Sequence, residues 1–329
     1  MSRITLSQGY CHGLAEEMYR DDSIFVIGTD LFERGGHWAQ VSGLGDKFGR
    51  NRVRNTPISE AAMVATGVGA AMAGLRPVID LNFIDFCFGA MDEIVNQVAK
   101  IRYMWDRPVP VIIRGTFGIS GGGAQHSNLI ESWFTHTPGL LVAAPSTPYD
   151  AKGLIKTALR CEDPVIFLMH KMLTGFRGEV GGNDVLVPFG SGVVRREGDD
   201  VTIVSYGAMA HQAAKAAGIL EDKGIGAEVI DLRTLFPIDL ELIETSVRKT
   251  RHLVLATEAP RHGSIAAEIA AEISESMYVE LDAPVLRVGG AHAPVPHSPA
   301  LLNSFPPDHS DIVRSVLECV GEGAFLRST

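Results

Sequence analysis

Thr56-Pro57-Ile58-Ser59-Glu60 runs straight into Ala61-Ala62-Met63-Val64-Ala65-Thr66-Gly67-Val68-Gly69-Ala70-Ala71-Met72-Ala73-Gly74. It sets a lone carboxylate at the mouth of a helix made almost entirely of small residues. Pro57 holds its own φ near the helical value, so the turn into the helix is set in advance. Ser59 is a good N-cap and would place Glu60 in the first turn, where negative charge is favoured. On these five residues alone a capped helix with a stabilising acid is the simpler reading. The run that follows argues for more. Each interior glycine costs a helix roughly 1 kcal/mol. Gly69 with Ala73 and Ala70 with Gly74 repeat at four-residue spacing, which lets another helix or backbone approach closely. The pattern predicts a helix buried in the middle of something, with an oligomer interface as its natural setting.

Working outward, short β-rich runs alternate with helical patterns. Residues 24–28, 77–81, 109–114, 140–144 and 165–168 read as buried strands. Residues 6–20, 60–74, 90–104 and 148–160 repeat their apolar positions at three and four residues and read as helices. This alternation marks an α/β domain with a largely parallel sheet. A polar, glycine-rich connection at 174–184 follows, and then the alternation restarts. Strands are expected at 201–205, 227–232, 252–256 and 284–288, with helices near 209–223, 239–249, 264–275 and 311–320. The boundary falls near residues 185–195, giving domains 1–188 and 189–329.

The chain has 329 residues, 46% hydrophobic and 21% charged, enough to bury two ordinary cores. A formal net charge of −10 argues against nucleic acid or an anionic membrane as the main partner. Four widely spaced cysteines form no CxxC pair, which points to a reducing compartment. The start of the chain has no signal-peptide apolar region and no Arg-rich leader character, and the run 61–75 is too short to span a membrane. A soluble, cytoplasmic protein is expected.

A second notable stretch is Arg114-Gly115-Thr116-Phe117-Gly118-Ile119-Ser120-Gly121-Gly122-Gly123-Ala124-Gln125-His126-Ser127. It leaves a predicted strand end, where open α/β sheets place ligands, and it closes on an amide beside a histidine. It is neither a P-loop nor a clean GxGxxG. Read as a pattern it fits a phosphate cradle, a catalytic loop or a structural loop equally. Gly118-Ile119-Ser120-Gly121-Gly122 formally matches Gly-x-Ser-x-Gly, but a nucleophile elbow needs a helix directly after the serine, and here more glycine follows. Leu81-Asn82-Phe83-Ile84-Asp85-Phe86-Cys87-Phe88 leaves another strand end with three aromatic rings beside a carboxylate, suited either to core packing or to stacking on a flat ligand. The remaining histidines form no HExxH or other metal-ligand spacing.

Taken together these residues resemble the β subunits of thiamine-diphosphate-dependent 2-oxo acid dehydrogenases, the pyruvate, branched-chain 2-oxo acid and acetoin dehydrogenase β chains. The match spans nearly the whole chain. It rests on Thr56–Glu60, Ala70–Pro77, Arg114-Gly115, Ala124–Ser127, Pro138-Gly139-Leu140 and Ala151–Leu154. In the second domain it rests on Asp231–Thr234 with Pro237-Ile238-Asp239, and on Val295-Pro296-His297. The resemblance implies an α/β fold with a transketolase-like pyrimidine-binding domain followed by a transketolase C-terminal-type domain. It implies that Glu60 is the catalytic glutamate that bonds a ring nitrogen of the cofactor's aminopyrimidine and shares a proton with it. Phe86 then packs on the pyrimidine. His126 reaches the substrate or the lipoyl group that receives the acyl fragment, and Gln125 beside it is placed to orient it.

The metal-binding Gly-Asp-Gly…Asn motif of thiamine enzymes has no counterpart, because the chain contains no Gly-Asp-Gly. The resemblance therefore implies a separate α subunit that carries the Mg²⁺ and the diphosphate, an α2β2 heterotetramer, and a lipoyl acyltransferase core as the next partner. Some members of the family hold a potassium ion through carbonyls matching Val111, Ala158, Cys161 and Asp163. Two departures stand out: Thr29 replaces an acid that family members carry, and Thr116-Phe117-Gly118 replaces Pro-Asn-Gly. Two rivals are a split transketolase-like C-terminal subunit, which moves two-carbon ketol units and to which Arg261-His262 would offer sugar-phosphate contacts, and a non-catalytic scaffold for the α chain.

Overall fold

The computed structural model describes residues 2–182 and 185–321, and it divides into two compact units. The first comprises residues up to Phe117 together with Trp133–Phe189. The second comprises Gly118–Ser132 together with the chain from Gly190 onward. Asn183 and Asp184 of the glycine-rich connection lie outside the described residues.

In the first unit the parallel strands run side by side in the order Leu141–Ala143, Val165–His170, Ile112–Phe117, Arg76–Phe83, Ile24–Gly28 and Val53–Asn55. The central strands Ile24–Gly28, Ile112–Phe117 and Val165–His170 are buried along their whole length, as expected where a parallel sheet is covered on both faces. The strand expected to open at Val109 begins instead at Ile112. Pro108 and Pro110 carry no N–H for the ladder, and Val109 N donates to the Glu162 carbonyl at 3.1 Å. The helices Leu6–Arg20 and Pro148–Arg160 pack against each other. Both are capped by threonine: Thr5 and Gln8 form a reciprocal box, and Thr147 accepts from Asp150 N with Pro148 at the first helical position.

Two expectations fail here. The helix expected over 90–104 is broken into a 3₁₀ segment Ile84–Ala90, a π segment Glu93–Val98 and a short helix Ile101–Trp105. The backbone bonds change register here: Ala99 N reaches back five residues to the Ile94 carbonyl at 3.0 Å and Lys100 N only three, to the Gln97 carbonyl at 3.2 Å, so the regular ladder is interrupted. The polar connection also holds a strand, Arg177–Val180, which pairs antiparallel with Ser2–Thr5. The junction is fastened by Leu6 N on the Phe176 carbonyl (2.9 Å) and Ser7 N on the Thr174 carbonyl (3.1 Å).

The same pair of helices buries Glu17, 1% exposed, between two guanidiniums. Arg20 Nε donates to Oε2 at 2.6 Å and Arg160 Nη2 to Oε1 at 2.6 Å. Burial alone would raise the carboxyl's pKa, but the hydrogen bonds and charges of Arg160 and Arg20 outweigh it and hold the group below its ordinary value. A depressed folded-state pKa contributes stability that is complete above the unfolded value, near 4.3, and is lost as pH falls through the folded one. Urea unfolding between pH 5 and pH 3 should therefore weaken the wild type more than Glu17→Gln. Parallel pH curves would remove this pair from the account.

The second unit is a five-stranded sheet in the order Leu286–Gly290, Leu253–Pro260, Val201–Ser205, Ala227–Asp231 and Val193–Arg196, the last antiparallel. Its core brings Val201, Ile203, Val229 and Val254 of the strands together with Ala213, Ala217 and Leu220 of the helix Ala208–Glu221 and Ile312 and Val316 of the helix His309–Cys319.

Candidate active site

Three neighbouring strands of the first sheet, Val53–Asn55, Ile24–Gly28 and Arg76–Phe83, release their chains at their carboxyl ends, the edge at which such sheets hold ligands. The chain leaving Val53–Asn55 is fastened at once: Thr56 N donates to the Gly28 carbonyl at 2.9 Å, and Asn55 Oδ1 accepts from Leu31 N and Phe32 N, each at 2.8 Å. Four residues later Glu60 opens the helix Glu60–Met72. Ser59 occupies the N-cap position, yet its side chain makes no capping bond, and its contribution is the carbonyl that accepts from Met63 N at 2.9 Å.

Glu60 is half-buried, and its carboxylate makes no hydrogen bond or ion pair with any described residue. Within this chain its helix is enclosed on one face only. Met63, Val64, Gly67, Val68 and Ala71 are buried, with Gly67 lying on Ile79, while Ala62, Ala65, Thr66, Gly69 and Ala73 stay exposed. The low bulk that let the sequence predict close approach is used on one face within this chain. Part of the other face lines a cavity of about 510 Å³ that it shares with Phe25, Ile27, Arg52 and Arg54.

The same helix packs against Ile84–Ala90, the segment that carries Phe86. Phe86 is 37% exposed, and its ring meets Phe83 edge-on at 5.6 Å; Phe83 in turn meets His37 at 5.6 Å and Trp38 at 5.9 Å. The result is an aromatic ledge whose outer ring, Phe86, is partly exposed. Asp85, the carboxylate noted beside these rings, is turned inward, with Lys171 Nζ 4.0 Å away and both side chains buried.

The segment is held by a buried network that long sequence separation concealed. Asp80 accepts from Gln40 Nε2 at 2.7 Å and from Asn82 N at 2.8 Å, and Arg114 Nη1 lies 3.2 Å from its Oδ1. Asp80 and Arg114 are both essentially unexposed. Asn82 takes a left-handed φ of 60°, and its amide donates to Thr29 Oγ1 at 2.8 Å, so Thr29 serves as an anchor for this turn. Gly115 explains the Arg-Gly pair: a Cβ there would lie 2.7 Å from the Ile84 backbone.

Gln125 and His126 lie in the second unit. They form a short 3₁₀ turn, Ala124–His126, inside a loop tied by Ser127 Oγ, which accepts from Ser120 N and donates to the Ser120 carbonyl. Ile119 N donates to Glu258 Oε2 at 3.1 Å, and Tyr206 Oη donates to Glu131 Oε1 at 2.6 Å. Burial, then the Glu131 and Glu258 carboxylates, push the Tyr206 hydroxyl well above the ordinary phenol value, so it remains a donor. Residues Glu131, Tyr206 and Glu258, none of them marked by a local motif, thus hold the loop. Gly123, at φ 78°, lies close to the exposed His297. His126 is half-buried; Gln125 is exposed, and its side-chain amide makes no hydrogen bond with a described residue, so it does not orient His126 here.

Of the four carbonyls considered for potassium, Val111's accepts from Val165 N, Ala158's from Cys161 N and Cys161's from Arg76 Nη1. Nothing in this donor set singles out a potassium ion. Among the described residues no group of three or more His, Cys, Asp or Glu side chains is arranged to hold a metal.

The family models for the transketolase pyrimidine-binding domain and the transketolase C-terminal domain match residues 2–176 and 190–312. This chain belongs to the transketolase family. Within it the chain is 43% identical to the 2-oxoisovalerate dehydrogenase subunit beta of Bacillus subtilis (strain 168), over 89% of this chain and 91% of the relative. It is 40% identical to the acetoin:2,6-dichlorophenolindophenol oxidoreductase subunit beta of Cupriavidus necator, over 98% of each. A solved split-gene transketolase, an inactive beta4 tetramer, superposes with a TM-score of 0.81 at 28% identity, covering 96% of this chain and 98% of that one. The relatives are thus β subunits of 2-oxo acid and acetoin dehydrogenases, as the Thr-Pro-Ile-Ser-Glu and Gln-His-Ser stretches led one to expect. The split-transketolase reading is the weaker of the two.

Proposed function

We propose that this chain is the β subunit of a thiamine-diphosphate-dependent 2-oxo acid or acetoin dehydrogenase, working with an α subunit in an α2β2 heterotetramer and passing acyl groups to lipoyl groups of an acyltransferase core. The observation that carries this reading is Glu60: a half-buried carboxylate at a helix start, with no hydrogen bond or ion pair to any described residue, on a helix packed against the segment that carries the partly exposed Phe86. These residues fit the pyrimidine end of the cofactor. A carboxyl to hold or return a proton at a ring nitrogen and an aromatic face to pack on the ring are both present, and no acid cluster for a metal accompanies them among the described residues.

When bound, thiamine diphosphate supplies the carbon nucleophile and the electron sink for decarboxylation. The chain's own residues do the rest. Glu60 holds a proton at its carboxyl oxygen and returns it, which requires a group not locked into an ion pair. Phe86 covers one ring face and keeps water from it. Asp80 and Arg114 fix the turn at Asn82 from which Phe86 is presented. His126 is assigned the substrate and lipoyl side, where an imidazole can donate or accept a hydrogen bond. Mg²⁺ and the diphosphate are assigned to the α subunit, and the exposed small-residue face of the Glu60 helix is offered as part of the subunit contact. Four cysteines that form no disulfide suit a reducing, cytoplasmic setting.

Co-expression with an α-type chain tests the assignment. The pair should reduce an artificial electron acceptor with pyruvate, a branched 2-oxo acid or acetoin, dependent on thiamine diphosphate and Mg²⁺, and this chain alone should not. An assembled, cofactor-binding pair that is inert with all three, but transfers two-carbon ketol units between sugar phosphates, would replace this reading with the split transketolase suggested by the structural likeness.

A further inference from the structure

The second unit has a cavity of about 250 Å³ whose wall contains Arg261, Arg287 and Arg314, an unusual gathering in a chain of formal net charge −10. The three side chains come from the end of one strand, from its neighbour and from the helix His309–Cys319. Arg287 Nη1 donates to the Arg261 carbonyl at 2.9 Å, which holds it beside the Arg261 backbone. Neither Arg261 nor Arg287 forms an ion pair with any described residue.

The one carboxylate on the wall, Asp311, is already engaged. Its Oδ1 pairs with Arg314, and its Oδ2 accepts from Asp308 N at 3.0 Å within the helix cap. Three guanidiniums less one carboxylate leave two net positive charges facing one space. Ser315 adds a hydroxyl that bonds no described residue, and Ser304 adds another that donates to the Leu301 carbonyl at 3.2 Å, leaving its lone pairs open. Gly289 makes room for the arrangement, because a Cβ there would lie 3.0 Å from Arg261 Cγ and 2.8 Å from the Ala259 carbonyl oxygen.

Arg261 and Arg314 are exposed and Arg287 is half-buried, so water screens their mutual repulsion in part, while Arg261 and Arg287 have no ion pair with a described residue. Guanidinium forks match the oxygens of a tetrahedral oxyanion, and two net charges match a dianion better than a single carboxylate. We propose that this cavity binds a dianionic phosphate group, either free or carried on a small organic molecule that rests on Phe305, Pro306 and Pro307. The proposal rests on the second unit alone and is independent of the role given to Glu60.

Isothermal titration of the full chain at constant ionic strength, with chloride as the balancing anion, tests it with two probes, inorganic phosphate and phenyl phosphate. Saturable one-to-one binding is expected, weakened at least tenfold in Arg261→Gln/Arg287→Gln and unchanged in Arg248→Gln, an exposed arginine that does not line the cavity. Tighter binding of phenyl phosphate would assign the site to an organic phosphate; equal binding would assign it to the free anion. In phosphate-free buffer the double variant should melt close to the wild-type temperature, because the relieved repulsion is screened and the lost Arg287 bond to the Arg261 carbonyl is exposed to solvent; a mainly structural role for these arginines would lower it clearly. No saturable heat with either probe, or binding that survives in the double variant, overturns the proposal.

Discussion

Glu60→Gln, assembled with an α-type chain and supplied with thiamine diphosphate and Mg²⁺, is expected to turn over about 10²–10⁴-fold more slowly than the wild type, the range for loss of a positioned acid–base group. Glutamine keeps the size and hydrogen-bonding reach of the side chain but cannot exchange a proton at working pH. The fold should barely register the change. The carboxylate bonds nothing in the described chain, and a charge in the first helical turn contributes about 0.3–1 kcal/mol. The variant should therefore assemble as the wild type does and melt within a few degrees of it. This split between intact assembly and lost turnover separates a catalytic subunit from a scaffold that merely completes the tetramer. Turnover within tenfold of the wild type would remove Glu60 from the centre of the mechanism.

The sequence legibly carried whatever is decided by local chemistry. Leu6–Arg20 and Pro148–Arg160 were expected to the residue from apolar positions recurring at three and four residues, and the structure adds a threonine cap at the start of each. The Glu60 helix was expected from its entry, and it closes at Met72, two residues before Gly74 takes a φ of 91°. Failures cluster where distant partners decide. Arg177–Val180 becomes a strand because Ser2–Thr5, far away in sequence, pairs with it. No window of the sequence shows that Glu131 and Tyr206, 75 residues apart, share a hydrogen bond, or that Glu258 accepts from Ile119 N. The residues expected to touch ligand could be named from the sequence because chemistry restricts their type; the residues that hold those segments in place could not, because many types could do so.

That division gives the positioning network a large expected effect on stability. Asp80→Asn should destabilise the protein by about 3–5 kcal/mol, the usual cost of removing one partner from a buried ion pair. Arg114 has 0% exposure, its Nε and Nη2 find no hydrogen-bond partner among the described residues, and its other contacts, a long bond to the Asn82 carbonyl (3.5 Å) and the Tyr10 ring 6.0 Å away, are neutral, so Asp80 is its counter-charge. Against a typical total of about 5–15 kcal/mol, that is a large share. Arg114→Met should cost less, since Asp80 keeps the donors Gln40 Nε2 and Asn82 N. The double variant should recover part of the loss, because it removes the stranded charge, and urea unfolding should show a coupling of about 0.5–3 kcal/mol between the two sites. The same network fixes Asn82 at a φ of 60°, a conformation costing most residues about 1–2 kcal/mol, and from that turn the chain runs to Phe86. Any of these variants that still folds should therefore bind cofactor more weakly. Strictly additive losses, or an Asp80→Asn variant as stable as the wild type, would show that the pair neither stores this energy nor holds the turn.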